Sequence, residues 1–206
     1  MYIKILALTF TLLVSSFSLG SDYHKALDLF NRKKINQSID LFKTVSRNTK
    51  DENRSKAYFN LAIIYDYGYG VGVDKTKALY FYEKASILEN EFALYNLGWM
   101  YQTGENVNKD AVKAFKLYSK AADKGHAQAL YNLANMYYSG TGTTKDYKIA
   151  YKLFLKSKIK GVEESQYYIE KISGDITPEE LSFLNKEFES LIEKKIDLPI
   201  PVVVEN

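Results

Sequence analysis

A chain of 206 residues with 46% hydrophobic content is long enough to bury a sizeable core, which excludes disorder for most of its length. Its 28 Lys+Arg and 25 Asp+Glu give a formal charge of +3 with both signs interspersed, so neither nucleic acid nor an anionic membrane surface is indicated as a partner. Cysteine is absent, which rules out a disulfide framework, a thiolate metal site and a cysteine nucleophile, while 18 Tyr, 11 Phe and one Trp suit packed helices with wet edges.

Residues 1–20 read as a signal peptide. Lys4 supplies a positive start, Ile5–Val14 is apolar apart from Thr9 and Thr11, and Ser16-Phe17-Ser18-Leu19-Gly20 offers small residues for cleavage after Gly20. The uncharged stretch Ile5–Ser21 is shorter than the roughly 20 apolar residues a spanning helix needs, so no stable span is expected in the mature chain. The expected location is periplasmic or secreted.

Residues 21–54 predict a helix pair, with Ile39, Phe42 and Val45 on one face and a polar connection over 49–54. From residue 55 the chain superimposes on itself at a shift of 36 residues. Ala57, Ala93 and Ala129 align, as do Asn60, Asn96 and Asn132; Leu61, Leu97 and Leu133; Tyr65, Tyr101 and Tyr137; Ala78, Ala114 and Ala150. Helical spacing occurs twice per copy, so each repeat is two antiparallel helices. Gly68, Gly104 and Gly140 follow the first helix, where a left-handed residue ends a helix at low steric cost. Asp74, Asp110 and Asp146 precede the second, placed to accept from free backbone N–H groups.

At these positions the sequence resembles the Sel-one-like repeat family, a relative of the tetratricopeptide repeat. The family pattern is readable in Tyr95-Asn96-Leu97-Gly98-Trp99-Met100-Tyr101, Gly104, Asp110, Lys113-Ala114, Leu117-Tyr118 and Lys120-Ala121-Ala122-Asp123-Lys124-Gly125. The resemblance covers three full repeats and a half, over 55–172, with Tyr167 and Ile169 matching Tyr131 and Leu133. Departures are Ala62 and Ala134 for the usual glycine, Glu89 for the final glycine of the first repeat, and Ile149 for Lys. The implied fold is all-α, a right-handed α-solenoid of antiparallel helix pairs, in which 21–54 resembles a degenerate tetratricopeptide-like pair.

Residues 173–195 predict a capping helix that starts at Thr177-Pro178-Glu179-Glu180, with an apolar stripe of Leu181, Leu184, Phe188, Leu191 and Ile192. Over 196–206, Pro199 and Pro201 exclude a helix and predict an extended tail.

Chemistry-bearing constellations are few. Gly68-Tyr69-Gly70-Val71-Gly72 lies between two helices and not after a strand, so it reads as a turn and not a phosphate cradle. His24 and His126 lack a second ligand at metal spacing, so no metal is expected. Adjacent acids such as Glu163-Glu164 diverge on a helix, and no serine sits in a nucleophile elbow. No catalytic residue and no cofactor are therefore expected, and the chain is read as a non-enzyme.

The tetratricopeptide resemblance implies that first helices line a concave groove. It places there Phe59, Ile63 and Tyr67; Phe92, Tyr95, Trp99 and Gln102; Tyr131, Asn135 and Tyr138; and Tyr167. Rigid rings make good binding anchors, although Phe59, Tyr95 and Tyr131 would equally serve to pack on the next repeat. Trp99 and Tyr138 fall at variable repeat positions, which favours binding over stability. The expected function is a scaffold or adaptor of the bacterial envelope that holds a segment of another envelope or secreted protein. Peptidoglycan or another glycan is the alternative ligand. A β-lactam-directed activity, implied by cysteine-rich relatives, lacks the cysteines in this chain. Intact-mass analysis of the exported protein should find a chain starting at Ser21; a species retaining Met1 would contradict the cleavage assignment.

Overall fold

Two short signals recur wherever a first helix turns into a second, and they position the repeats. Gly68 and Gly104 end their helices in the left-handed region, at φ 70° and 85°, and Gly140 has φ 76°. The N–H groups of Gly104 and Gly140 donate to Met100 and Met136 at 2.8 Å, satisfying carbonyls that the helix end would orphan. The aspartate that follows acts twice. Its own N–H reaches back to the first helix, from Asp74 to Tyr65 and Asp110 to Tyr101 at 2.8 Å and from Asp146 to Tyr137 at 2.9 Å. Its carboxylate accepts from the N–H three residues on, Lys77, Lys113 or Ile149, at 2.9 Å.

The computed structural model describes residues 22–193; the signal-peptide segment 1–20 and the tail 196–206 lie outside them. The described residues are all-α and of the helical-solenoid class expected. In order they are α1 (22–31), α2 (Ile35–Arg47), α3 (Arg54–Tyr67), α4 (Lys75–Ile87), α5 (Glu91–Thr103), α6 (Ala111–Asp123), α7 (Ala127–Ser139), α8 (Tyr147–Ile159), α9 (Ser165–Ser173) and α10 (Pro178–Glu193). They form two compact units, divided after His126.

In the first unit α2 packs on α3, α3 pairs with α4, and α5 pairs with α6. Ala26, Ile39, Phe42, Val45, Leu61 and Ile64 make its N-terminal core, and the buried Ser38 hydroxyl donates to the Ala26 carbonyl at 2.7 Å. The next core centres on Ala62, Ala78, Tyr82, Ala93, Leu97 and Met100. In the second unit α7 pairs with α8, and α8 also packs on α9 and α10 around Ala134, Tyr151, Phe154, Ile169, Ile172 and Leu184. Helix α10 begins with a reciprocal cap: the Glu180 N–H donates to the Thr177 hydroxyl at 3.2 Å and the Thr177 N–H to the Glu180 carboxylate at 3.4 Å. Lys148 on α8 pairs with that carboxylate at 2.7 Å. Of the apolar stripe expected on α10, Leu191 and Ile192 lie outside the described side chains.

Each second helix plants one ring against its first helix: Tyr82, Tyr118 and Phe154, 36 residues apart and all buried. Facing positions are small. A Cβ on Gly98 would stand 2.8 Å from the Tyr118 ring, while the first and third repeats bury Ala62 and Ala134 at the same position. Where the ring carries a hydroxyl, the first helix supplies an acceptor. Tyr82 donates to Asp66 at 2.9 Å and Tyr118 to Gln102 at 2.8 Å. Phe154 has no hydroxyl, and the equivalent first-helix residue is Tyr138. Burial is the main reason that the Tyr82 hydroxyl is pushed well above its ordinary pKa, with Asp66 adding to it.

Glu89 carries a real cost. It has φ 55° at the position where Gly125 and Gly161 have φ 85° and 91°, and the left-handed region costs an L-residue about 1–2 kcal/mol. Its ion pair with Lys124, 2.9 Å long but two-thirds exposed on the glutamate side, offsets only part of this.

A hydrogen bond to a charged acceptor is worth about 1.5–3 kcal/mol, so a Tyr82→Phe and Asp66→Ala double-mutant cycle in denaturant should give a coupling of about that size. A coupling below about 0.5 kcal/mol would show that Asp66 does not hold the buried tyrosine.

Candidate partner-binding face

With one edge of each first helix committed to the core, the side chains expected in the groove divide between those that pack on the core and those that stand exposed. On α3 and α5 the rings link through space. Phe59 lies 6.1 Å from the Tyr82 ring and 5.6 Å from Phe92. Phe92 stands edge-on to His126 at 5.3 Å, and His126 stacks on Tyr95 at 4.5 Å with only 16° between the planes. Tyr95 lies 5.9 Å from Tyr118. Phe59 and Tyr95 thus connect the surface to the buried rings, and they pack as well as present area. Burial lowers the His126 pKa, opposed by Glu91, so the imidazole is neutral at pH 7 and behaves as another ring.

Outward of this base stand Phe92, 47% exposed, and Trp99, 41% exposed, seven residues apart on α5 and therefore on one side of the helix. Ile63, the repeat counterpart of Trp99, is half-buried against the second core. Tyr67 is 61% exposed and stacks on Tyr69 at 5.7 Å and 24°, with Tyr69 edge-on to Phe30. Gln102 is bound to the Tyr118 hydroxyl, so it has a structural duty that its variable position did not suggest. Asp66, its counterpart, also takes Lys75 at 2.7 Å. The same ammonium reaches Glu105 at 2.9 Å, and the Asn106 amide donates to the Lys75 carbonyl at 2.8 Å. This small polar network ties the second repeat's loop to the first repeat.

In the second unit, Tyr131 contacts Phe154 at 5.7 Å and Tyr168 at 6.1 Å, and the Asn135 amide folds back to donate to the Tyr131 carbonyl at 3.1 Å. Tyr138 is half-buried between Tyr147 at 5.3 Å and Tyr168 at 5.5 Å. Its ring therefore packs against the core of the second unit as well as lying partly at the surface. Tyr167 is 62% exposed.

Two residues on this face escaped the sequence reading. His126 had been weighed only as a metal ligand, and among the described residues no cluster of three ligating side chains occurs. Lys171 occupies the repeat position of Ile63, Trp99 and Asn135, which the 36-residue shift alone would have shown. Its ammonium lies 5.5 Å from the Tyr138 ring and 5.8 Å from the Tyr167 ring.

Among the described residues no helix is long and apolar enough to cross a membrane. Comparison with known proteins agrees with this architecture. Residues 55–90, 92–126 and 127–162, just over half of the chain, each match the Sel1 repeat. The crystal structure of a Sel1 repeat protein from Oxalobacter formigenes superimposes with a TM-score of 0.58 at 29% identity, covering 63% of this chain and 95% of that one. A protective antigen of uropathogenic Escherichia coli with an SLR fold matches at TM-score 0.54 and 17% identity; the match covers 91% of this chain but 50% of that one, and it speaks for the fold alone. No curated protein matches the sequence. Sel1 repeats generally form non-enzymatic scaffolds for protein–protein interaction. With three consecutive copies of that repeat, built on the glycine turns, aspartate caps and buried rings described above, the chain belongs to the Sel1 repeat family.

Proposed function

We propose that the chain is a non-enzymatic adaptor of the bacterial envelope, exported to the periplasm or beyond, that holds a segment of another protein on the outer edge of its first helices. The observation that carries this reading is the pair Phe92 and Trp99. Two large rings stand nearly half exposed on a helix whose other side buries Ala93, Leu97 and Gly98. Rigid rings on a packed aromatic base lose little entropy on binding, which is the usual setting of an interface anchor. Repeat counterparts of Trp99 are Ile63, Asn135 and Lys171, and such variation suits a position selected for a partner's surface.

Glycan binding is a second reading, favoured by the exposed Tyr67 and Tyr69 stack, which offers a flat platform of the kind sugars use. Cosedimentation with purified cell-wall sacculi, lost on Tyr67→Ala, would support it over the adaptor reading.

For the adaptor, a partner crosslinked in the intact envelope should be titrated against the purified chain. An anchor contributes about 2 kcal/mol or more, so Trp99→Ala should weaken binding roughly 30-fold. Its thermal stability should stay near that of the parent, whereas Leu97→Ala, which opens a cavity in the core, should cost about 2–5 kcal/mol of stability. Unchanged affinity, or unfolding by Trp99→Ala, would overturn the assignment.

A further inference from the structure

By repeat position the outer edge of the first helices reads Ile63, Trp99, Asn135 and Lys171, and the last is a cation. Like Lys84, Lys113 and Lys145, it lies beside a tyrosine ring. Lys75, Lys77, Lys124 and Lys148 each pair with a carboxylate. Lys171 has none among the described residues; its ammonium hydrogen-bonds the Tyr138 side chain and lies beside the rings of Tyr138 and Tyr167. The nearby acids are already engaged. Glu170 accepts from the Gln166 amide at 2.6 Å and Asp146 caps α8. A second cation continues the strip, because Lys145 lies 5.4 Å from the Tyr147 ring, which in turn lies 5.3 Å from Tyr138.

We propose that this strip of the second unit binds a carboxylate on the partner segment, with Lys171 as the charge and the phenol hydroxyls of Tyr138 and Tyr167 as hydrogen-bond donors. The inference rests on the adaptor reading and names the chemistry of its partner: an acidic peptide. Three physical points support it. An ammonium propped on two rings is held in place before binding, so less side-chain freedom is lost when an anion arrives. The ammonium carries three N–H donors, and its hydrogen bond to the Tyr138 side chain uses one of them. Its interaction with Tyr138 holds the Lys171 pKa above the ordinary value, so the group is charged throughout the physiological range. An acidic glycan fits less well. The tyrosines are tilted against one another, by 53° between Tyr138 and Tyr147 and 84° between Tyr167 and Tyr168, and they present no flat platform for a sugar ring.

The test uses the purified chain, fluorescein-labelled hexaglutamate as probe and fluorescence anisotropy at low and at roughly 0.3 M salt, where exposed charges more than about one Debye length apart are screened. Hexaglutamate should bind, bind more weakly at the higher salt, and lose roughly tenfold in affinity on Lys171→Gln and severalfold on Tyr138→Phe. Lys116→Gln, at an exposed lysine of α6 outside the strip, should change it less than about twofold. Thermal melts establish that each variant is folded, and Tyr167→Phe, at an exposed ring, serves if Tyr138→Phe unfolds. Absence of binding, an equal loss on Lys116→Gln, or preference for polygalacturonate over hexaglutamate would each overturn the proposal. Should an identified partner lose affinity on Trp99→Ala but not on Lys171→Gln, the carboxylate site fails while the adaptor reading stands.

Discussion

The contact on which the rest of this structure depends is a buried ring in each repeat, set by the second helix against a glycine or alanine of the first. Tyr82, Tyr118 and Phe154 are among the largest fully buried side chains, and each fills the space between the two helices of its pair. A ring of that size can be buried only if the facing residue is small, which Ala62, Gly98 and Ala134 satisfy. A phenol brings a hydroxyl into a dry place and requires an acceptor there, at a penalty of about 1–3 kcal/mol if none is supplied. Asp66 and Gln102 answer that requirement, and the third repeat avoids it by using phenylalanine.

This arrangement divides each first helix into two edges with different freedoms. On the core edge, Leu61, Leu97, Leu133 and Ile169 recur at one position and are buried. On the outer edge, Ile63, Trp99, Asn135 and Lys171 recur at another, and their chemistry changes from apolar to aromatic, amide and cation. A fold that spends one edge on stability leaves the other to be shaped by what it binds, as in other repeat proteins. Between the edges stand Phe59, Tyr95 and Tyr131, whose rings touch the buried ring of their own repeat and so couple the exposed aromatics to the core.

Periodicity made the family, the all-α solenoid class and the turn chemistry legible before any coordinates, because glycine at a left-handed position and aspartate at a helix start act through local backbone geometry. The Thr177 and Glu180 cap was legible for the same reason. What escaped were duties that depend on residues brought together by folding. Gln102 looked like a binding residue because the tetratricopeptide resemblance placed it in the groove; its position varies in step with the ring sixteen residues later, Tyr82 with Asp66, Tyr118 with Gln102 and Phe154 with Tyr138. The paired change was visible in the repeats but has meaning only once the two positions are known to meet. His126 was weighed for its ligand chemistry, while its place between Phe92 and Tyr95 arises from the turn after α6. Glu89 was seen as a departure from glycine, and its positive φ is the physical cost of that departure.

The central claim is that partners meet the outer edge of the first helices and not the exposed face of the second. Benzophenone side chains placed singly at Phe92 and Ile63 on that edge, and at Tyr80 and Lys116, which are exposed on α4 and α6, would test it by photocrosslinking in the intact envelope. The account predicts one crosslinked partner shared by the first two positions and absent from the second two. The same partner captured from Tyr80 or Lys116, with none from Phe92 and Ile63, would contradict it.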